Sequence, residues 1–261
     1  MKKTTILTGI LATTLFLLMS ACSNKQQMQE TNTVTISGQV TDFDGNPIDS
    51  CVVQLKHRDF STVSETYSDE SGHYALKDVE KGKYMALYAI RPKEYPREDA
   101  VPDADKRLEF WAWNVIADKD LTINPRYHRL ELYGFNVFEV HGGYPALMAY
   151  VRPMSVGKYL SYEKEIWLDK KKAEKVADIS INPEDIAFKI FADNEPLKIY
   201  SVQTVVEYGG ENQPFTSYFL QFERPKQLPD KYCIFRIEAT HNAFGTEKGE
   251  NIYFYEIQGY K

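Results

Sequence analysis

The sequence predicts an all-β protein built from tandem β-sandwich modules, and three observations indicate this class. Apolar and polar residues alternate with a period of two in many short runs, as in "TVTISGQV" at residues 33–40. Turn-forming Gly, Pro, Asn and Asp separate these runs at roughly regular spacing. Aromatic residues, which favour strands, make up 13% of the chain. The predicted modules span residues 33–95, 98–175 and 179–261.

Residues 1–21 are predicted to be a signal peptide. Two lysines precede a short apolar run that ends at Leu18, and small residues follow it. The sequence "MSAC", which ends at Cys22, resembles the lipobox of bacterial lipoproteins. That resemblance implies that the signal is removed before Cys22 and that palmitate-type acyl chains anchor its thiol in a membrane. Residues 22–32 would then form a flexible tether; ordinary secretion with a free Cys22 is the alternative.

The expected location is a membrane surface, with the folded part outside the lipid. Ser23 follows the lipidated Cys, which resembles an outer-membrane address in double-membraned bacteria, and the surface and periplasmic faces both stay open. Removal of residues 1–21 takes away Lys2 and Lys3 and leaves 29 basic and 37 acidic residues, a net charge of −8. This charge argues against nucleic-acid partners and against electrostatic binding to anionic lipid.

The first module, 33–95, carries the most specific signals. Its strand-like runs are separated by turns such as Asp44-Gly45-Asn46-Pro47, where Gly45 supplies positive φ. The stretches "SGQVTDFDGNPIDSCVVQL" and "TYSDESGHYALKDVEKGKYMALYA" resemble the carboxypeptidase regulatory-like domain. The resemblance implies a seven-stranded, transthyretin-like sandwich in which these residues build turns and core rather than a binding site.

The remaining two modules give weaker signals. Residues 98–175 contain aromatic, β-branched runs such as "RLEFWAWNVI" and "HRLELYGFNVFEV", and one short helix is expected in residues 170–177. Residues 179–261 contain five strand-like runs. Their closing stretch, "LPDKYCIFRIEATHNAFGTEKGENIYFYEI", resembles the last hairpin of immunoglobulin-like domains, so an immunoglobulin-like sandwich is expected there.

Two cysteines remain beside Cys22. Cys51 and Cys233 each lie in an apolar stretch, "SCVVQL" and "YCIFRI". An exported protein can form disulfides, but these residues fall in different predicted modules. We therefore expect two buried free thiols in preference to a bridge.

Motifs for catalysis are weak in this chain. A zinc carboxypeptidase needs His-x-x-Glu and a distant His, and His128, Glu131 and His241 have that order. The period of two in "YHRLELYG" would place His128 and Glu131 on opposite faces of a strand. The turn residues of "DFDGN" favour a turn there over a calcium site. We expect a protein that is not an enzyme, with no metal and no cofactor.

Aromatic residues provide the best candidate binding site. In "FWAW", Trp111 and Trp113 share one strand face, and two indoles side by side are typical of a stacking platform for sugar rings. Tyr144, Tyr150 and Arg152 follow nearby and are candidate ligand-binding residues with them. The alternative is that both Trp side chains fill the core of the middle module.

These observations predict a non-catalytic, membrane-anchored lipoprotein that binds a glycan or a surface partner through β-sandwich modules. The alternative is a structural or assembly protein of the cell envelope that acts through sheet-edge contacts. The sequence leaves the ligand and the oligomeric state open.

Overall fold

The fold is known from a computed structural model, which describes residues 32–208, 214–229 and 231–257. The predicted signal peptide, Cys22 and most of the tether lie outside the described residues. No helix in the described part of the chain combines the length and the apolar character needed to cross a membrane. The described residues from 32 to 257 group into one compact unit.

The described chain is mostly β, which confirms the predicted class. Its elements, in chain order, are β1 (Thr33–Gln39), β2 (Val52–Lys56), β3 (Thr62–Tyr67), β4 (His73–Glu80), β5 (Gly82–Ile90), β6 (Phe110–Ala117), β7 (Leu121–Thr122), β8 (Leu130–Glu139), β9 (Ala146–Ser155), α1 (Val156–Leu160), α2 (Lys164–Leu168), α3 (Lys170–Val176), β10 (Ile186–Ala192), β11 (Glu195–Leu197), β12 (Ile199–Tyr208), β13 (Pro214–Glu223), β14 (Tyr232–His241) and β15 (Glu247–Glu256). The expected short helix corresponds to α3, whose N-cap Asp169 accepts the Lys172 amide at 3.1 Å.

The first sandwich has seven strands. The sheet β4-β1-β7 faces the strands β3-β2-β5-β6, and Val34 and Ile36 of β1 point into the core between them. The predicted turn after β1 is tied by the Asp42 carboxylate, which accepts the amides of Asp44 at 2.8 Å and Asn46 at 2.9 Å. Strands β6 and β7 complete this sandwich, so it extends past the predicted boundary at residue 95.

The second sandwich has eight strands. The sheet β12-β13-β9-β8 faces β11-β10-β14-β15, and a separate apolar core lies between them. Strands β8 and β9 come from the predicted middle module and β10–β15 from the predicted last one. The tandem sandwiches are therefore present, but the structure has two of them where the sequence suggested three modules.

One sheet is shared by both sandwiches. Strand β6 pairs antiparallel with β5 and parallel with β15, through Ala112 beside Ile252 and Trp113 beside Tyr253. These pairings join eight strands in the order β11-β10-β14-β15-β6-β5-β2-β3. Phe110 and Ala112 belong to the first core, whereas Trp111 and Trp113 belong to the second. Strand β6 is thus apolar on both faces because each face covers a different core.

The two remaining cysteines are buried free thiols, as expected. Burial raises the pKa of Cys51 to about 12, and burial with the nearby Asp193 carboxylate raises the pKa of Cys233 to about 12. At neutral pH both side chains are neutral core thiols.

Candidate functional site

The indoles of Trp111 and Trp113 lie stacked on each other, with ring centroids 4.7 Å apart and ring planes 8° apart. They are 8% and 7% exposed. Tyr133 of β8 meets both rings edge-on, at 6.1 Å from Trp111 and 5.6 Å from Trp113. Because the indole faces cover each other and belong to the second core, this geometry favours the core alternative over an open platform on these two rings.

The other three predicted ligand residues lie in three different places. The Arg152 guanidinium lies 4.7 Å from the Tyr133 ring centroid and 4.9 Å from that of Phe215, so Arg152 joins the Trp pair through Tyr133. The Tyr150 hydroxyl donates to the Glu207 carboxylate at 2.6 Å and lies 3.1 Å from Ser217 Oγ. Tyr144 is 69% exposed and contacts Tyr200 edge-on, away from the Trp pair.

The carboxyl groups of Glu109 and Glu131 lie beside the Trp pair. No motif in the sequence indicated that these two residues would be close together. Glu131 is fully buried, and its Oε1 accepts the Trp111 indole N–H at 3.1 Å. Burial and the charge of Glu109 hold the pKa of Glu131 well above its usual range. Burial also raises the pKa of Glu109 to about 7. The second carboxyl oxygens of both residues are buried without a hydrogen-bond partner in the described chain, so the pair favours at least one bound proton.

The surface beside Trp113 opens into a groove of about 640 Å³, here called the aromatic groove. Two lining residues of positive φ shape it: Asn114 lies in the middle of β6 at φ 55°, and Gly134 has φ 66° in a bulge of β8. The Trp113 indole N–H is buried and has no acceptor in the described chain. The groove carries both ring faces and polar groups, since its lining includes Arg58, Phe60, Lys83, Tyr84, Trp113, Asn114, Tyr133, Asn136, Tyr253 and Glu256.

The aromatic groove continues into a second opening of about 320 Å³. Four residues line both: Asn114, Asn136, Tyr253 and Glu256. The continuation also includes Glu139 and Arg224, whose side chains are paired at 2.6 Å. Together the two openings form an elongated trough, a shape suited to an extended ligand more than to a compact one.

A second buried polar cluster surrounds Glu247. Its carboxylate accepts the Ser155 hydroxyl and the Gly157 amide, the latter at 2.7 Å, and it lies 3.0 Å from His241 Nδ1. Burial pushes the pKa of Glu247 upward, but hydrogen bonds from His241, Ser155 and Gly157 outweigh it and hold the pKa below its usual value. The Ser155 hydroxyl meets the carboxylate rather than the imidazole, so this cluster lacks the nucleophile–base contact of a hydrolase.

The zinc motif weighed from the sequence does not assemble. Glu131 bonds to Trp111, and the imidazole of His241 bonds to Glu247. His128 is half-buried, and burial together with Arg107 and Arg129 lowers the pKa of its imidazole. Over residues 32–208, 214–229 and 231–257, no three His, Cys, Asp or Glu side chains are grouped as metal ligands.

Comparison with known proteins supports the first module. The family model of the carboxypeptidase regulatory-like domain matches residues 35–89, which confirms that predicted domain over those residues. No curated protein matches the chain.

Solved structures give only distant likenesses. The major pilin subunit BcpA of Bacillus cereus has a TM-score of 0.26 and 10% identity, covering 85% of this chain and 69% of that one. A streptococcal ancillary pilin has a TM-score of 0.25 and 10% identity, with coverage of 88% and 60%. A marsupial T cell receptor has a TM-score of 0.19 and 6% identity, with coverage of 84% and 61%. At these TM-scores the likenesses carry no argument about function.

Proposed function

We propose that this chain is a non-catalytic lipoprotein, anchored in a membrane through Cys22, that binds a glycan in the aromatic groove. The observation that carries the proposal is the lining of that groove, in which ring faces stand beside amide, cationic and carboxylate side chains. Sugars present apolar C–H faces and hydroxyl rims, so they are bound by this combination of groups. The two tryptophans of the predicted site act differently in this proposal: Trp111 packs behind the wall of the groove, and Trp113 forms part of that wall.

Individual groups in the groove have assignable roles. Phe60 is 45% exposed and offers a ring at the rim. Asn136 is exposed on the bulged strand and offers amide donors and an acceptor. The Trp113 indole N–H, which has no acceptor in the described chain, is available to donate a hydrogen bond to a ligand in the groove. An elongated trough of this kind fits several sugar units rather than one.

Glycan binding is tested with the full-length protein in detergent and a panel of defined neutral and acidic oligosaccharides, measured by calorimetry. We expect at least one member to bind, and Phe60→Ala with Asn136→Ala to weaken that binding by roughly tenfold or more, the equivalent of ~1.4 kcal/mol. Tyr67→Ala is the matched control, because Tyr67 is also an exposed aromatic but lies outside the groove. No binding across the panel, or equal loss in the control, contradicts the proposal.

The membrane anchor is tested separately. Two or three acyl chains hold a protein durably, since each buried CH₂ contributes ~0.8 kcal/mol. Cys22→Ser is therefore expected to abolish palmitate labelling and move the protein from the outer-membrane fraction to the soluble one. Protease shaving of intact cells, with a periplasmic control, then decides between the surface and periplasmic faces. A Cys22→Ser protein that stays in the membrane contradicts lipid anchoring.

A second function, assembly in the envelope through sheet-edge contacts, is favoured by one specific observation. Strand β12 ends the four-stranded sheet, and within the described residues it pairs only with β13. Several of its large apolar side chains are exposed, including Val206 at 60% and Tyr208 at 70%. An unpaired apolar edge of ten residues is a template for another strand.

A further inference from the structure

Apart from a bulge at its start, strand β12 has few of the devices by which edge strands normally avoid pairing. Its sequence, "IYSVQTVVEY", contains no Lys and no Pro, and Glu207 is its single charged residue. The Glu207 carboxylate is already engaged, since it accepts the hydroxyls of Tyr150 and Ser217. The edge therefore presents backbone groups and neutral side chains to whatever lies beside it.

One face of β12 has a side-chain order that reads the same in both directions. Beyond the bulge between Ile199 and Ser201, the alternate residues on this face are Val202, Thr204 and Val206, with Thr204 at the centre. Val202 and Thr204 lie beside Leu220 and Tyr218 of β13, which are buried in the second core, so this is the core-facing side of the sheet.

This face is nevertheless open to solvent. Val202 and Val206 are 46% and 60% exposed, and Thr204 is exposed as well. The cause is that the facing sheet leaves a groove of about 530 Å³ between β10 and β12, lined by Ile186 and Phe188 on the β10 side. The second sandwich thus has an open side whose apolar residues lack a cover in the described part of the chain.

We propose that the occupant of this edge is a second copy of the same chain, with the two β12 strands antiparallel about a two-fold axis at Thr204. This inference rests on the sheet-edge association proposed above and names its partner. In that register Val202 lies opposite Val206 of the second copy, and Thr204 lies opposite its Thr204. Pairs of β-branched residues are favourable across antiparallel strands.

The proposed register also avoids like-charge contacts and is consistent with two-fold symmetry. Glu207 lies opposite Ser201 of the second copy, so no like charges face each other. A two-fold axis makes the contact self-complementary and closed, which gives a dimer rather than a fibre. The bulge between Ile199 and Ser201 interrupts the ladder at one end, so regular pairing spans residues 201–207.

Charges introduced at Thr204, on the proposed two-fold axis, test this register. Thr204→Lys and Thr204→Glu each place two like charges directly opposite one another, whereas a mixture of the two places opposite charges there. For the full-length protein in detergent, we expect sedimentation to give a concentration-dependent dimer for the wild type, monomers for each variant alone, and a restored dimer for the mixture. Thr122→Lys, on the exposed edge strand β7, is the control and is expected to stay dimeric. A monomeric wild type, or a dimer indifferent to Thr204→Lys, overturns the inference.

A second measurement separates this inference from the broader sheet-edge function. Thr204 is replaced by a photoreactive benzoylphenylalanine, and cells that carry the full chain are irradiated. An adduct of twice the chain's mass supports the second copy. An adduct of another mass overturns the second copy but leaves a sheet-edge function in place, and the absence of any adduct counts against both.

Discussion

Glu247 and Glu131 are both 1% exposed, yet the pKa of Glu247 is lowered, which favours the ionised carboxylate, and the pKa of Glu131 is raised, which favours the protonated acid. Glu247 is met by donors from Ser155 and Gly157, by the His241 ring, and by the Arg129 guanidinium at 3.4 Å. These groups favour the carboxylate and hold its pKa low despite burial.

Glu131 is met by a different environment. One of its oxygens accepts the Trp111 indole N–H, the other has no partner in the described chain, and the Glu109 carboxyl lies nearby. Burial and the neighbouring acid therefore raise its pKa. The comparison teaches that the donors aimed at a buried carboxyl, rather than its depth, decide its charge.

The largest expected effect is at Glu247. Glu247→Ala leaves the buried donors of Ser155, Gly157 and His241 without an acceptor, and removing one partner of such a cluster typically costs about 3–5 kcal/mol. Urea unfolding at pH 7 measures the loss. Glu256→Ala is the control: Glu256 pairs with Lys83 at the surface, where an ion pair contributes roughly 0.2–1 kcal/mol. Equal losses at the two positions contradict the importance of the Glu247 donors.

The pair of Glu109 and Glu131 is expected to make the fold less stable as the pH rises. The pKa of Glu109 is about 7 in the fold and 4.5 as an ordinary glutamate, so between these values the folded chain holds a proton that the unfolded chain has released. Its contribution to stability is complete below pH 4.5 and declines as the pH rises to 7, by on the order of 3 kcal/mol.

This decline is measured as the free energy of unfolding from pH 5 to pH 8. Other carboxyls, Glu247 among them, contribute with the opposite sign, so the informative quantity is the difference between wild type and Glu109→Gln. We expect Glu109→Gln to gain stability relative to wild type as the pH rises. Parallel curves for the two proteins would show that the pair does not share a proton.

The smallest effect distinguishes the two indoles. Trp111→Phe removes the N–H that Glu131 accepts, and an acceptor left unsatisfied in the interior costs about 1–3 kcal/mol. Trp113→Phe loses a similar volume on the same strand but removes an N–H that has no partner. We expect the thermal melt to fall more for Trp111→Phe, and a larger fall for Trp113→Phe would contradict the role of the indole N–H.

Much of the fold could be predicted from local pattern, because alternation and turns are local. The β1 strand, the Asp42 turn and the helix at residues 170–176 are examples. The division into modules could not be predicted in the same way. It depends on the pairing of Ala112 with Ile252, and a contact between residues so far apart leaves no trace in a local period.

In the candidate site, too, local features could be predicted from the sequence and contacts between distant segments could not. The run "FWAWNVIA", apolar except for Asn114, is typical of a strand that is covered on both faces, as β6 is. The aromatic groove is assembled from five separate segments of chain, so Phe60, Tyr84 and Tyr133 had no common motif. The pairing of Glu109 with Glu131 likewise arises only when β6 and β8 meet.

The shared sheet also sets an order of events during synthesis. The Trp111 amide is bound by the side chain of Asn251, 140 residues later in the chain. At ribosomal rates of roughly 5–20 residues per second, that interval lasts about 7–28 s. Until the last strand emerges, the aromatic edge of β6 has no neighbour on that side. During that interval the nascent chain has one edge of β6 unpaired, and a chaperone that covers this edge would act at that stage.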